Sequence, residues 1–360
     1  MQLRWSKTLV GCWLLVALLP MRALAMQAGG DTTSANAAVK EIAPGRLHVD
    51  LGKMTGVLPL YVSADWTKPQ PSVTRALIVF HGKLRNADEY NRSGQTAIAA
   101  AGGAGAGTIL ITPQFLGQQD VDAFRLGPDV LRWAPEAWMG GEPATAPAPI
   151  SSFDGIDAIL NRLADGAIFP NLKTVVIAGH SGGGQVVQRY AIVGKAPAVL
   201  SRRGIHVKFV VANPSSYLYF SPDRPLKDGS FGIPQKSCFG KYNKWKYGVD
   251  DPPPYVGKTS FTDLESRFMQ RDVLYLLGTE DTDPQHPALD KTCSAEDEGA
   301  FRYERGHNYV RYLLTRHPDL TQQLWDVPGV GHDGDKMFNS PCGLAAIFDK
   351  GTCATKVAKP

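Results

Sequence analysis

The chain has 360 residues, 43% of them hydrophobic and 20% charged, which suits one large globular domain or two small ones and excludes a disordered polymer. Its formal net charge of +4 comes without a sustained basic stripe or a nucleic-acid-binding motif, so no nucleic-acid partner is expected. With 37 Gly and 26 Pro, the composition points to many loops around regular elements.

The first element in chain order is an apolar run over 9–19, preceded by Arg4 and Lys7 and followed by Ala23-Leu24-Ala25. Basic flank, apolar centre and small-x-small end read as a secretory signal peptide over 1–25, cleaved after Ala25, and so as a secreted or periplasmic protein. An apolar run of about 11 residues is too short for the roughly 20 of a spanning helix, so no stable membrane anchor is expected. Most of the run follows Cys12, which argues against a lipoprotein box there. Arg4, Lys7 and Arg22 leave with the segment and no acid does, so the remaining chain is nearly charge-balanced.

Residues 26–45 are rich in Ala, Gly, Ser and Thr without apolar periodicity, and are expected as a flexible tail before a catalytic domain over 46–360. Clustered apolar residues at 47–51 and 58–62, around Gly52 and Gly56, predict an antiparallel hairpin at a sheet edge. Short apolar runs follow at 76–80, 108–112, 174–178, 207–211, 273–277 and 324–327, with helical spacing at 153–163, 185–193 and 301–314. That alternation predicts an α/β fold with a mostly parallel central sheet and helices on both faces. Two stretches near 120–150 and 215–260 break the alternation; they hold Trp133, Trp138, Tyr217 and Trp245 and read as loop or cap insertions above the strand ends.

Five cysteines become four once Cys12 is removed, an even number suited to disulfides in an exported chain. Of the three pairings possible, Cys238 with Cys293 and Cys342 with Cys353 is favoured, because the second closes a short loop and the first joins two long insertions. Four reduced, buried thiols are the alternative. No Cys or His spacing suggests a metal site.

The sharpest chemical signal is the apolar run 174–178 ending in Gly179-His180-Ser181-Gly182-Gly183-Gly184 before a helical pattern. A nucleophile elbow needs a strand, a tight turn and small residues two before and two after the serine, and Ser181 meets each condition. At a helix N-terminus its neighbouring amides favour developing negative charge, so the Gly182 amide is one expected oxyanion donor. His81-Gly82-Lys83 at the end of the run 76–80 supplies the second, the Lys83 amide.

A carboxylate is expected after a later strand, and Gly278-Thr279-Glu280-Asp281-Thr282-Asp283 offers three. Asp281 is the first choice, with Asp283 and then Glu280 as alternatives. Among eight histidines, His332 follows the last predicted strand between Gly331 and Gly334 and suits a base; His307 and His317 fall in or beside a helix, and His180 fits under the elbow.

The order Ser181, Asp281, His332, the Gly-x-Ser-x-Gly elbow, the His81-Gly82 turn and the Gly-Thr-x-Asp-Thr segment together resemble the α/β-hydrolase superfamily over about 75–340. That resemblance implies an eight-strand-type sheet, a Ser-His-Asp triad and no cofactor, and leaves the substrate open. A small or polymeric carboxylic ester is the expected substrate. The alternatives are a peptide or amide bond, the C–C bond of a β-diketone, or a non-catalytic binding protein on the same fold. Trp133, Trp138, Tyr217 and Trp245 are expected to wall an apolar pocket above Ser181, the alternative being that they only pack the insertions.

Overall fold

The computed structural model describes residues 1–2, 36–234 and 238–354. The segment read as a signal peptide lies, beyond its first two residues, outside them.

Strands β1 (Gly45–Asp50) and β2 (Thr55–Val62) form the antiparallel hairpin, with Leu47 opposite Leu58. The remaining sheet strands are β3 (Arg75–Phe80), β4 (Thr108–Pro113), β5 (Thr174–His180), β6 (His206–Ala212), β7 (Asp272–Gly278) and β8 (Gln323–Val327). The eight strands lie in the order β1-β2-β4-β3-β5-β6-β7-β8, with β2 antiparallel to β4 and every pair from β4 onward parallel.

Both faces of the central parallel strands β3, β5 and β7 are buried, as their continuous apolar runs require. Along β3, Ala76, Ile78 and Phe80 enter one core while Leu77 and Val79 enter the other. The first core is covered by α2 (Ser152–Leu163), α3 (Gly182–Val193), α4 (Phe261–Met269) and α5 (Arg302–Arg316). The second is covered by α1 (Ala87–Ala101) and α6 (Pro341–Phe348). Ser151 starts α2 with a capping box: its Oγ accepts the Phe153 amide at 3.0 Å, and Asp154 accepts the Ser151 amide at 2.9 Å. Helix α1 meets the sheet through small residues, Ala97 and Ala101 among them; a Cβ at Gly94 would stand 2.8 Å from Leu110.

Register decides where function gathers. Phe80 pairs with Gly179, His180 with Ala212, and Gly278 with Val327, so the residues just past β3, β5, β7 and β8 converge on one edge of the sheet.

Residues 37–45, within the segment expected as a flexible tail, make hydrogen bonds to the domain. The Val39 amide donates to Asp120 at 2.9 Å, the Ala43 amide to Gln114 at 2.8 Å, and Arg85 donates to the Ala37 carbonyl at 2.7 Å. Asp120 is itself paired with Arg85 at 2.7 Å, so a buried ion pair ties this segment down; the segment has no apolar period, and its partners lie more than 40 residues away. Disulfides join Cys238 to Cys293 and Cys342 to Cys353, the pairing favoured from spacing. Among the described residues no helix is long and apolar enough to cross a membrane.

Candidate active site

Ser181 links β5 to α3 at φ 59° and ψ −119°, a backbone conformation that an L residue holds only when its surroundings force it. The force comes from close packing: a Cβ at Gly179 would stand 2.3 Å from the Gly183 carbonyl, and one at Gly183 would stand 2.3 Å from that of Phe80. Glycine at both places lets strand, turn and helix meet, and the Ser181 amide is anchored to the Ala212 carbonyl at 3.0 Å.

Ser181, His332 and Asp281 come together in a hydrogen-bonded line. His332 Nε2 lies 2.9 Å from Ser181 Oγ, and its Nδ1 lies 2.8 Å from Asp281 Oδ2. An ionised carboxylate only accepts, so Nδ1 carries the proton and Nε2 is left free to accept from the serine. Asp281 is buried, whereas Asp283 is exposed and accepts the Gln285 amide at 2.8 Å in its own turn. Glu280 sends its amide to the Val330 carbonyl, holding the loop after β7 against the one that carries His332.

The turn after β3 is fixed by His81, which is fully buried. Phe115 donates its amide to His81 Nε2 at 3.0 Å, so Nδ1 carries the proton and donates to the Gly82 carbonyl at 2.8 Å. This sets the Lys83 amide beside the elbow, 3.1 Å from where a Cβ on Gly182 would stand. The amides of Lys83 and Gly182 are thus neighbours next to Ser181.

Arg302, at the start of α5, went unread in the sequence. Its guanidinium is fully buried and reaches Asp281 Oδ1 at 3.2 Å and Ser215 Oγ at 2.9 Å, opposite the oxygen that holds His332. Burial pushes the Asp281 carboxyl up, but the bond from His332 and the charge of Arg302 hold it below the ordinary range. Burial first, and then Arg302, depress His332 to about 4. His180 packs its ring 4.6 Å from that of His332, receives the Tyr90 hydroxyl at 3.0 Å, and is pushed well down by burial. His286 meets the other side edge-on at 4.9 Å. The only sequence trace of Arg302 is that Arg302 and Arg305 occupy the same stripe of α5 as buried Tyr309 and Tyr312.

Four aromatics were expected to wall an apolar pocket over Ser181, and they separate. Tyr217 is core: it stacks on Tyr309 at 4.6 Å and lies near Tyr275. A tyrosine-rich insertion meeting a tyrosine-rich helix buries rings on each other and leaves none for the cleft. Trp245 is half-buried and donates to the Gly140 carbonyl at 2.7 Å, tying the two insertions together. Trp133 and Trp138 are buried beside the turn after β3, where they line a cavity of about 210 Å³ with Lys83, Arg85, Gln119 and Glu136. Trp138 touches the elbow, 3.2 Å from the Cβ position of Gly182. The cleft directly over Ser181 is small and polar, bounded by Lys83, Glu136, Met139, Gln185, Ser215 and Asp290.

No protein-family model matches the chain, and no curated protein matches it in sequence. Among solved structures it is similar to a poly(3-hydroxybutyrate) depolymerase from Bordetella parapertussis, with a TM-score of 0.56 and 20% identity over 86% of this chain and 92% of that one. It is also similar to poly(aspartic acid) hydrolase-1 from Sphingomonas sp. KT-1, with a TM-score of 0.53 and 22% identity over 81% of this chain and 94% of that one. These likenesses, with the eight-stranded sheet and its flanking helices, identify the α/β-hydrolase fold.

Proposed function

We propose that the protein is a serine hydrolase that cleaves carboxylic esters through an acyl-enzyme, with Ser181 as nucleophile, His332 as base and Asp281 as its partner. The observation that carries this reading is the line from Ser181 Oγ through His332 to Asp281, at 2.9 and 2.8 Å. His332 Nε2 takes the Ser181 proton as Oγ attacks the carbonyl, and then returns it to the leaving alkoxide. Asp281 holds the tautomer and stabilises the imidazolium. The Lys83 and Gly182 amides receive the oxyanion, and water repeats the sequence on the acyl-enzyme. Nothing in these steps calls on a cofactor.

Ester cleavage on a small or polymeric substrate fits a neighbour named as a poly(3-hydroxybutyrate) depolymerase. The neighbour named for poly(aspartic acid) supports amide cleavage on the same triad as the second reading. Two disulfides favour an oxidising compartment and agree with export after cleavage near Ala25. Labelling with a fluorophosphonate, followed by peptide mapping, tests the assignment: the adduct is expected on Ser181 and absent in Ser181→Ala. Undiminished labelling or ester turnover in that variant ends the reading.

A further inference from the structure

Three charged side chains line the Ser181 cleft, Lys83 after β3, Glu136 from the first insertion and Asp290 after β7, and Lys246 from the second insertion stands behind two of them, Glu136 and Asp290. Lys83 Nζ lies 2.8 Å from Glu136 Oε1, and Lys246 Nζ lies 3.3 Å from Glu136 Oε2, so each oxygen of one carboxylate faces its own ammonium group. Asp290 has other, nearer partners. It accepts the Tyr247 hydroxyl at 2.8 Å, the Thr292 hydroxyl at 2.8 Å and the Thr292 amide at 3.0 Å, and stands 3.9 Å from Lys246.

The place between the two lysines is therefore shaped and charged for a carboxylate. Glu136 fills it from a loop in the left-handed region, at φ 65°, which disfavours a non-glycine residue. Its side chain is 40% exposed, against 27% and 12% for the lysines it joins. Burial pushes the Glu136 carboxyl up, but Lys246 and Lys83 hold it below its ordinary value, so it stays anionic. Lys83 and Glu136 line the same cleft as Ser181 and Gly182.

We propose that Lys83 and Lys246 bind a carboxylate of the substrate, and that Glu136 occupies that place in the free protein. This rests on the reading of Ser181 as an ester-cleaving nucleophile and adds the substrate class: an ester that carries a free carboxylate close to its scissile carbonyl. On binding, the substrate carboxylate replaces Glu136 between the two ammonium groups and Glu136 turns toward water. The lysines keep an anionic partner throughout, so the exchange buries no unpaired charge. Among the described residues, the apolar side chains this cleft offers a long aliphatic acyl group are Met139 and Ala288.

The test compares kcat/KM for esters that differ only in that charge, at low ionic strength. One pair is 4-nitrophenyl hydrogen succinate and its methyl ester, with the charge on the acyl side; the other is 4-acetoxybenzoate and its methyl ester, with the charge on the alcohol side. In at least one pair the anionic ester is expected to be preferred. Glu136→Gln should raise that preference and Lys246→Met lower it, each by about tenfold, the size expected for one charge-assisted hydrogen bond. Salt at about 0.5 M should flatten all three values, because the rim is open to screening. Preference ratios that neither substitution moves, in both pairs, overturn the proposal. Neutral-ester turnover that survives Ser181→Ala overturns the nucleophile reading instead, and thermal unfolding of each variant separates both results from misfolding.

Discussion

Two ion-paired carboxylates flank Ser181, one beneath it and one at its rim, and they differ in almost everything but charge. Asp281 and Arg302 are both buried and bonded to each other, and they hold His332 and Ser215 in turn. Glu136 and its lysines sit on loops at the edge of the cleft, with side chains 40%, 27% and 12% exposed, so water reaches this group from one side. A buried pair must be satisfied in full, because removing one member strands the other in low dielectric. A rim pair is screened and contributes little to stability, so its presence at a cleft is better accounted for by what enters the cleft. The lower pair should therefore control chemistry and folding, and the upper pair selection.

The largest expected effect tests whether the lower region acts as a unit. Ser181→Ala should lower kcat by about a thousandfold or more while leaving the unfolding temperature near that of the parent. Asp281→Asn should cost far more than Asp283→Asn, since Asp283 faces solvent and its own turn. Equal losses in the two asparagine variants would remove Asp281 from the role.

Next in size is Arg302→Met, which strands Asp281 and Ser215. Loss of one partner from a buried pair should cost about 3–5 kcal/mol in denaturant unfolding. Arg302→Lys, which keeps the charge, should recover part of it. A loss below about 1 kcal/mol would make this pair behave like a rim pair and dissolve the contrast.

Acid titration sharpens the same point. The base must be neutral to accept the serine proton, so activity falls as His332 is protonated. With His332 held down to about 4, the acid limb of kcat/KM should lie near pH 4, well below ordinary imidazole titration. Arg302→Lys, measured wherever the methionine variant is too unstable, keeps the repulsion and should keep the limb low. Arg302→Met should move it upward, though not to 6.5, since burial is the larger cause. A parent limb near pH 6.5 would contradict this electrostatic account.

The smallest stability effect is expected at the rim. Glu136→Gln should change stability by less than about 1 kcal/mol, while shifting preference between anionic and neutral esters. A large loss of stability with unchanged preference would make Glu136 a structural tie between loops.

Much of this architecture was legible because its signals are local. The strand runs, the hairpin and the Gly179-His180-Ser181-Gly182-Gly183 turn each follow from steric or periodic rules within a few neighbouring residues, and the cysteines were legible from their number and from the short loop that Cys342 and Cys353 close. Helix α1 was not, since its buried face is made of Ala, Ser, Gly and Asp88 and holds no large apolar side chain to mark it. The docking of 37–45 was equally hidden, because a short segment without apolar periodicity shows no sign that Asp120, Gln114 and Arg85 await its backbone groups.

The sequence by itself determined an α/β sheet with a serine at a strand-to-helix elbow, since backbone sterics and side-chain periodicity act along the chain. Only the tertiary structure decided which acid faces His332, that Tyr217 packs into the core, that Arg302 stands behind Asp281, and that Lys83, Glu136 and Lys246 meet at one mouth. Those choices depend on strand register and on loops far apart in sequence arriving at the same edge. Charge and ring contacts act through space, over a few ångströms, and which groups meet is not written in the spacing of residues along the chain.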